Sequence, residues 1–195
     1  DVLSASQYDD KIAWYENDGS GSFTEHTITT EADGAYSVYA VDVDGDGDMD
    51  VLSASQYDDT IAWYENDGVE NFTKIDITTS VDVVRSVYAA DVDSDGDMDV
   101  LSASYNDDTI AWYENDGSGG FTEHEITTSA DGANSVYAVD VDGDGDMDVL
   151  SASFNDDKIA WYENNGGGSF GEQNVITTSA DGAISVYAAD VNADG

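Results

Sequence analysis

The sequence predicts an all-β fold, a β-propeller of four-stranded blades, and two observations lead to this prediction. An acidic nonapeptide begins at residues 42, 91 and 140, and a partial copy begins at residue 190. These starting points lie 49, 49 and 50 residues apart, a period typical of propeller blades or array units. Each repeat also holds four short strand-like segments, and turn signals end every apolar run before it is long enough for a helix.

The first two segments of each repeat have the composition of β-strands. After each acidic nonapeptide the chain reads Asp-Val-Leu-Ser-Ala-Ser, at residues 1–6, 50–55, 99–104 and 148–153. A turn with two adjacent aspartates follows, and then Ile-Ala-Trp-Tyr-Glu-Asn, at residues 12–17, 61–66, 110–115 and 159–164. β-Branched and aromatic residues favour strands. Asn-Asp-Gly or Asn-Asn-Gly then predicts a second turn.

The other two segments complete the blade. A strand that begins with Phe and ends in Ile-Thr-Thr is expected at the outer edge, and the Ser-Val-Tyr-Ala strand is expected innermost, where blades converge. Both faces of a blade pack on neighbouring blades, so Ile61 and Trp63 should face one neighbour while Ala62 and Tyr64 face the other. The recurrent tryptophans are interpreted as packing residues, with sugar stacking as the alternative: Trp14, Trp63, Trp112 and Trp161.

The repeat boundaries predict one domain over residues 1–195. Three strands of a partial blade occupy residues 1–35, and complete blades occupy residues 36–84, 85–133 and 134–183. Residues 184–195 supply a first strand and an acidic loop. We expect residues 185–191 to pair with residues 1–6, either in the same chain, which closes a ring of four blades, or in another copy, which builds a larger ring or a fibre.

Charge restricts the possible partners. The chain carries 44 acidic and 4 basic residues, for a formal net charge of −40, so nucleic acid and anionic membrane surfaces are excluded as partners. Apolar residues make up 40%, which is enough for a core, and no apolar run is long enough to insert into a membrane. Asp1 begins within the repeat pattern, as expected of a mature or partial chain.

The acidic nonapeptide predicts a calcium site. Like charges about 6 Å apart repel by roughly 3 kcal/mol per pair at an effective dielectric of about 20, so a cation is expected among them. The spacing D-x-D-x-D-G-x-x-D suits Ca²⁺, which takes six to eight oxygen ligands. Positions one, three, five and nine would use side chains, and position seven its backbone carbonyl. The predicted ligands are Asp42, Asp44, Asp46, Asp48 and Asp50; Asp91, Asp93, Asp95, Asp97 and Asp99; and Asp140, Asp142, Asp144, Asp146 and Asp148.

An EF-hand is the competing interpretation of these loops. An EF-hand needs a bidentate Glu at position twelve and a helix on each side, but position twelve of the first loop is Ser53 and both flanks have strand composition. We therefore expect a structural calcium loop between two strands, rather than a signalling site or a solvated acidic turn. Calcium that fills weak sites is found outside cells, which predicts an extracellular or cell-surface protein.

These motifs, taken in order, resemble the FG-GAP/VCBS-type repeats of secreted bacterial proteins. The blades of the integrin α-subunit propeller and of some fungal lectins are more distantly similar. The resemblance covers the whole chain and implies a Ca²⁺-binding β-propeller used in adhesion or recognition. It also implies a fourth calcium site formed by Asp190, Asn192 and Asp194, with Asp1 at position nine.

No enzymatic site is predicted. His26 and His124 are replaced by Ile75 and Gln173 in the other repeats, and no carboxylate pair differs from the many others. The paired aspartates Asp9 and Asp10 and their copies are interpreted as exposed turns, with a second cation or a ligand on the opposite rim as the alternative. The predicted function is a structural and adhesive module that assembles with itself or presents loops to an extracellular protein or glycan. The alternative is a lectin-like, glycan-binding module.

Overall fold

The computed structural model describes residues 1–192. All of the regular secondary structure in these residues is β-strand. None of the described residues forms a helix that could cross a bilayer. In chain order the strands are β1 Val2–Ser6, β2 Lys11–Asn17, β3 Phe23–Thr29, β4 Ala35–Val41, β5 Asp50–Ser55, β6 Thr60–Asn66, β7 Phe72–Thr78, β8 Val84–Ala90, β9 Asp99–Ser104, β10 Thr109–Asn115, β11 Phe121–Thr127, β12 Ala133–Val139, β13 Asp148–Ser153, β14 Lys158–Asn164 and β15 Phe170–Thr177.

Each repeat forms its own antiparallel sheet, which confirms the predicted all-β fold. Strands β1 to β3 form a three-stranded sheet, and β4 to β7, β8 to β11 and β12 to β15 form three four-stranded sheets in chain order. In the second sheet Val41 pairs with Asp50 and Ala35 pairs with Ser55. The loop between β4 and β5 therefore lies at one end of the sheet, and the turn after Ser55 lies at the other.

The first strands of neighbouring sheets lie side by side, as expected of innermost strands. Their tyrosine rings form a continuous ladder, with centroid distances of 4.7 Å from Tyr39 to Tyr88, 4.9 Å from Tyr88 to Tyr137 and 4.8 Å from Tyr137 to Tyr187. The Val87 N–H also donates to Ser37 Oγ at 3.4 Å. The three four-stranded sheets are thereby connected along this edge, and Tyr187 extends the ladder beyond β12.

Both faces of each central sheet are buried against a neighbour. Ile61 and Trp63 belong to the core cluster shared with the third sheet, whereas Ala62 and Tyr64 belong to the cluster shared with the first. Alternate residues of one strand therefore fill two different cores, as predicted. Trp63 and Trp112 are each only 3% exposed, which agrees with their interpretation as packing residues.

The last part of the described chain differs from the prediction. Residues 184–190 contain no strand, and β1 has no first strand paired to it within the described residues. The segment instead packs beside β12, where the Asn134 side-chain amide donates to the Ile184 carbonyl at 2.8 Å and the Val186 N–H donates to Ser135 Oγ at 3.3 Å. A strand needs a hydrogen-bonded ladder partner, and β1 does not provide one here. Over residues 1–192 the four sheets therefore do not close into a ring within one chain.

Candidate metal centre

The acidic loops, residues 42–50, 91–99 and 140–148, each connect the first and second strands of a sheet. In the first loop the Asp42 carboxylate accepts the N–H groups of Gly45 at 2.8 Å and Gly47 at 3.0 Å. Gly47 has φ of 98°, a conformation that favours glycine. Asp44 accepts the Asp46 N–H at 3.2 Å. These side-chain to backbone bonds fold the loop tightly, so its carboxylates are held close together.

Each acidic loop brings three carboxylates together. One oxygen from each of positions one, three and nine lies within 4.8 Å of the others, in the triads Asp42, Asp44 and Asp50; Asp91, Asp93 and Asp99; and Asp140, Asp142 and Asp148. Two ligands of one Ca²⁺ ion, each at about 2.5 Å, can lie at most about 5 Å apart. The three triads can therefore each hold a metal ion.

The position-nine carboxylate is the buried member of each triad. Asp50, Asp99 and Asp148 are each 0% exposed. Asp50 Oδ2 accepts the Val43 N–H at 3.0 Å, and its Oδ1 accepts the Asn66 N–H at 2.8 Å. Burial raises the pKa of Asp50, and it raises the pKa of Asp99 to about 6. Burial disfavours the charged carboxylate, and a bound cation would offset that cost.

Positions five and seven lie outside the triads. Asp46 Oδ1 accepts the Asp48 N–H at 2.9 Å, and Asp95 and Asp144 make the same bond in their own loops. The side chain of Asp48 packs against Gly68, in the turn after the second strand. The Asp48 carboxylate is thereby directed toward this turn, and the backbone carbonyl of position seven remains the predicted ligand.

The chemistry of the loops fits calcium. Their donors are carboxylate oxygens, which hard cations prefer, and the chain contains no cysteine. In the second loop Asp91 Oδ1 is buried and has no hydrogen-bond partner among the described residues. A buried carboxylate oxygen is seldom left without a partner, and a cation in the triad would provide one. Bound calcium would neutralise the repulsion among the triad carboxylates.

The fourth predicted site lies only partly within the described residues. Asp190 and Asn192 are described, whereas Asp194 lies outside. Asp1 Oδ1 accepts the Asn17 N–H at 2.8 Å, which is the same bond that Asp50 makes to Asn66. Asp1 therefore has the hydrogen bond typical of position nine, although no partner loop lies beside it in the described structure.

Sequence reasoning missed a set of side-chain amides that connect one acidic loop to the next, here called the amide bridges. The side-chain amide of Asn115 donates to the Val43 carbonyl and to the Met98 carbonyl, each at 3.1 Å. The equivalent Asn164 donates to Val92 at 2.8 Å and to Met147 at 3.1 Å. Because Val43 lies in the first loop and Met98 in the second, Asn115 links two candidate metal centres.

The paired aspartates outside the loops have a structural role. Asp10, Asp59, Asp108 and Asp157 have φ values of 55–58°. Asp10 Oδ1 accepts the Gly34 N–H at 3.0 Å, and Asp108 Oδ1 accepts the Gly132 N–H at 2.9 Å. Asp10 lies in the turn between β1 and β2, and Gly34 lies in the turn before β4. Asp108 likewise lies between β9 and β10, and Gly132 lies before β12, so these bonds attach each turn to the start of the next innermost strand. No candidate metal cluster includes these aspartates within residues 1–192.

The sheets and the recurring loops define an all-β repeat protein. The model of the FG-GAP-like repeat matches the chain four times, at residues 1–53, 42–102, 91–151 and 140–195. The chain therefore belongs to the FG-GAP-like repeat family. A comparison with curated proteins gives no match.

Solved structures resemble the chain in fold. A lectin from Agrocybe aegerita, described as recognising non-reducing terminal N-acetylglucosamine, superposes with a TM-score of 0.60 at 18% identity over 90% of this chain. The chain spans 52% of that lectin, about half its length. The V. cholerae biofilm matrix protein Bap1 gives a TM-score of 0.41 at 17% identity, over 95% of this chain and 40% of that one. The similarity to the lectin shows a shared fold.

Proposed function

We propose that this chain is a calcium-binding β-propeller module of an extracellular protein, with a structural and adhesive role and no catalytic activity. The convergence of three carboxylates in each acidic loop is the observation that carries this proposal. The proposed calcium ligands are those predicted from the sequence, including the fourth set of Asp190, Asn192 and Asp194 with Asp1. Membership of the FG-GAP-like repeat family supports the assignment.

Calcium would act as a structural element of the scaffold. By neutralising the triad carboxylates, the ion would hold the turn between the first and second strands. The buried aspartate of the same triad holds the Val43 N–H, and the Val43 carbonyl accepts from Asn115 of the next sheet. Through these two bonds, a loop held by calcium would also hold Asn115 of the neighbouring sheet in place. The result is a stiff array whose exposed turns are available to a partner.

The open edge of β1 supports assembly with a second copy. In the second sheet Tyr39 pairs with Leu52, and the repeat-equivalent residues are Tyr187 and Leu3. Residues 185–191 of one copy therefore match β1 of another in register, and this pairing would bring Asp190 and Asn192 toward the partner copy's Asp1. A ring or a fibre would follow. Native mass spectrometry of the 195-residue chain distinguishes these assemblies from a monomer.

A lectin-like module is the second candidate. It rests on the shared fold with the Agrocybe aegerita lectin, whose description names N-acetylglucosamine. The identity of 18% supports the fold alone, so glycan binding by this chain needs its own test.

Calcium titration calorimetry with thermal denaturation tests the proposed function. Each site occupied at 100 times its dissociation constant adds about 2.7 kcal/mol to the free energy of unfolding, so chelation should lower the melting temperature by many degrees. Asp93→Asn removes a triad charge and should weaken calcium binding in the second loop. Asp97→Asn is the matched control, because the Asp97 side chain packs near Gly117 and not in the triad.

Three results would contradict the proposal. The first is an unchanged melting curve after complete removal of calcium. The second is a calcium affinity of the second loop that Asp93→Asn leaves unaltered. The third is an equal loss of affinity in Asp93→Asn and Asp97→Asn, since that would mean that overall charge, and not the triad, attracts the ion.

A further inference from the structure

The repeats differ at the ends of the innermost strands that lie far from the acidic loops. The second residue of these strands is Tyr36 in β4, Arg85 in β8 and Asn134 in β12, and the equivalent residue of the last repeat is Ile184. Four chemically different side chains thus occupy one structural position, whereas the tyrosine three residues later is the same in all four repeats. The identical tyrosine packs the sheets together, and packing does not require the variation seen at the neighbouring position.

These different side chains lie in contact with one another. The Arg85 guanidinium carbon lies 5.7 Å from the centre of the Tyr36 ring and 3.6 Å from that of Tyr105. Arg85 Nη1 donates to Asn134 Oδ1 at 3.0 Å, and the Asn134 amide donates to the Ile184 carbonyl. We call Tyr36, Arg85, Tyr105 and Asn134 the divergent rim. It crosses three sheets.

The pairing of charges sets Arg85 apart. The three lysines each have a carboxylate nearby: Lys11 with Glu25 at 2.6 Å, Lys74 with Asp76 at 2.8 Å and Lys158 with Asp156 at 2.6 Å. Arg85 is the one arginine of the sequence, and within residues 1–192 no carboxylate lies within ion-pair distance of it. In a chain with 44 acidic residues, the Arg85 charge can therefore pair with a negatively charged ligand.

Partly exposed tyrosine rings lie at this end of the sheets. Tyr36 is 42% exposed, and Tyr57, which packs beside Gly34 on the same end of the sheet, is 57% exposed. The Tyr57 hydroxyl accepts from the Gln7 side-chain amide at 2.8 Å, which orients the ring. Asn134 is 6% exposed and holds the guanidinium in place. Tyrosine offers an apolar face and a polar edge, which is the combination that a sugar ring requires.

We propose that the divergent rim binds an acidic sugar, with the Arg85 guanidinium contacting the sugar carboxylate and the exposed part of Tyr36 packing against the ring. This inference rests on the proposed binding role of the module and specifies its ligand. Arginine pairs with carboxylates through charge-assisted hydrogen bonds. A single carboxylate is favoured over a polyanion because the chain has a formal net charge of −40 and would repel a polyanion more strongly.

Calorimetry with a matched pair of sugars tests the inference. The probes are an oligosaccharide that ends in glucuronate and the same oligosaccharide ending in glucose, both titrated into the calcium-loaded 195-residue chain. We expect at least a tenfold preference for the glucuronate probe, and weaker binding as salt rises. Arg85→Gln should remove that preference. Lys74→Gln deletes a cation on β7 of the second sheet, away from the rim, and should leave binding unchanged.

Arg85 also joins three sheets, so the folding of the variants needs its own measurement. Arg85→Lys keeps the charge without the planar fork, and it should bind the glucuronate probe more weakly than the wild type while melting close to Arg85→Gln. Equal binding of both sugars, no binding at millimolar concentration, binding of an acidic peptide alone, or full binding by Arg85→Gln would each overturn the inference. If calcium still stabilises the chain in those cases, the proposed scaffold function stands and only the ligand assignment fails.

Discussion

Replacing Asn115 by alanine should destabilise the protein more than the same change at Asn66. Both residues end the second strand of a sheet, and in both the backbone N–H donates to the position-nine aspartate at 2.8 Å, a bond that alanine keeps. The Asn115 amide donates to two carbonyls, whereas the Asn66 amide donates only to Met49 among the described residues. The two variants therefore differ in the one bond that joins neighbouring loops.

The expected difference follows from burial. Asn115 is 2% exposed, so its removal leaves the Val43 and Met98 carbonyls without a donor, and each buried unpaired group costs about 1–3 kcal/mol. We expect a loss of about 3 kcal/mol in the free energy of unfolding for Asn115→Ala. Asn66 is half-buried, and water can replace the bonds that its side chain makes to Met49 and Gly68, so about 1 kcal/mol is expected for Asn66→Ala.

Thermal and denaturant melts in saturating calcium measure the difference. For a chain of this size 1 kcal/mol corresponds to about 2–4 °C, so Asn115→Ala should melt about 4–8 °C below Asn66→Ala. Asn164→Ala should behave like Asn115→Ala, since its amide makes the equivalent two bonds. Equal melting temperatures for the Asn66 and Asn115 variants would refute the role assigned to the amide bridges.

Two further predictions concern pH and a close approach between sheets. Burial raises the pKa of Asp99 to about 6, above the value of about 3.9 in an unfolded chain, so the folded state holds this proton more tightly. The calcium-free protein should therefore lose stability as pH rises from about 4 to about 6, and the fall should be shallower in Asp99→Asn; an equally steep fall in that variant would contradict the assignment. Gly167 and Gly168 both have positive φ, but only at Gly168 would an added Cβ meet another side chain, the Trp112 ring. Gly168→Ala should lower the free energy of unfolding by about 1–3 kcal/mol more than Gly167→Ala, and denaturant melts that show equal losses would argue against that contact.

The strands and acidic loops could be predicted from sequence because their signals are local. The segment Ile61-Ala62-Trp63-Tyr64 alternates between two cores, and that pattern is visible in the residues themselves. The aspartate spacing predicted five ligand positions in each loop, of which positions one, three and nine converge in the triads and positions five and seven lie outside them. Local composition was sufficient wherever the partners lie within one repeat.

Features that depend on contacts between repeats could not be predicted in this way. The partner of Asn115 lies 72 residues earlier in the chain, and the sequence motif shows only a turn at that point. The recurrence of Asn after every Trp-containing strand was the available signal, because turn formation alone would not require the same residue each time. Whether residues 185–191 pair with β1 depends on the curvature of the whole array, which no single repeat encodes.

The amide bridges would affect how such an array responds when the calcium concentration falls. Since each bridge couples one loop to its successor, an interior unit is supported from two sides and a terminal unit from one. Ion loss should then begin at the terminal units and progress inward. Longer arrays would keep a larger ordered fraction at the same calcium concentration. The number of repeats would therefore set the calcium concentration below which the module loses its ordered structure.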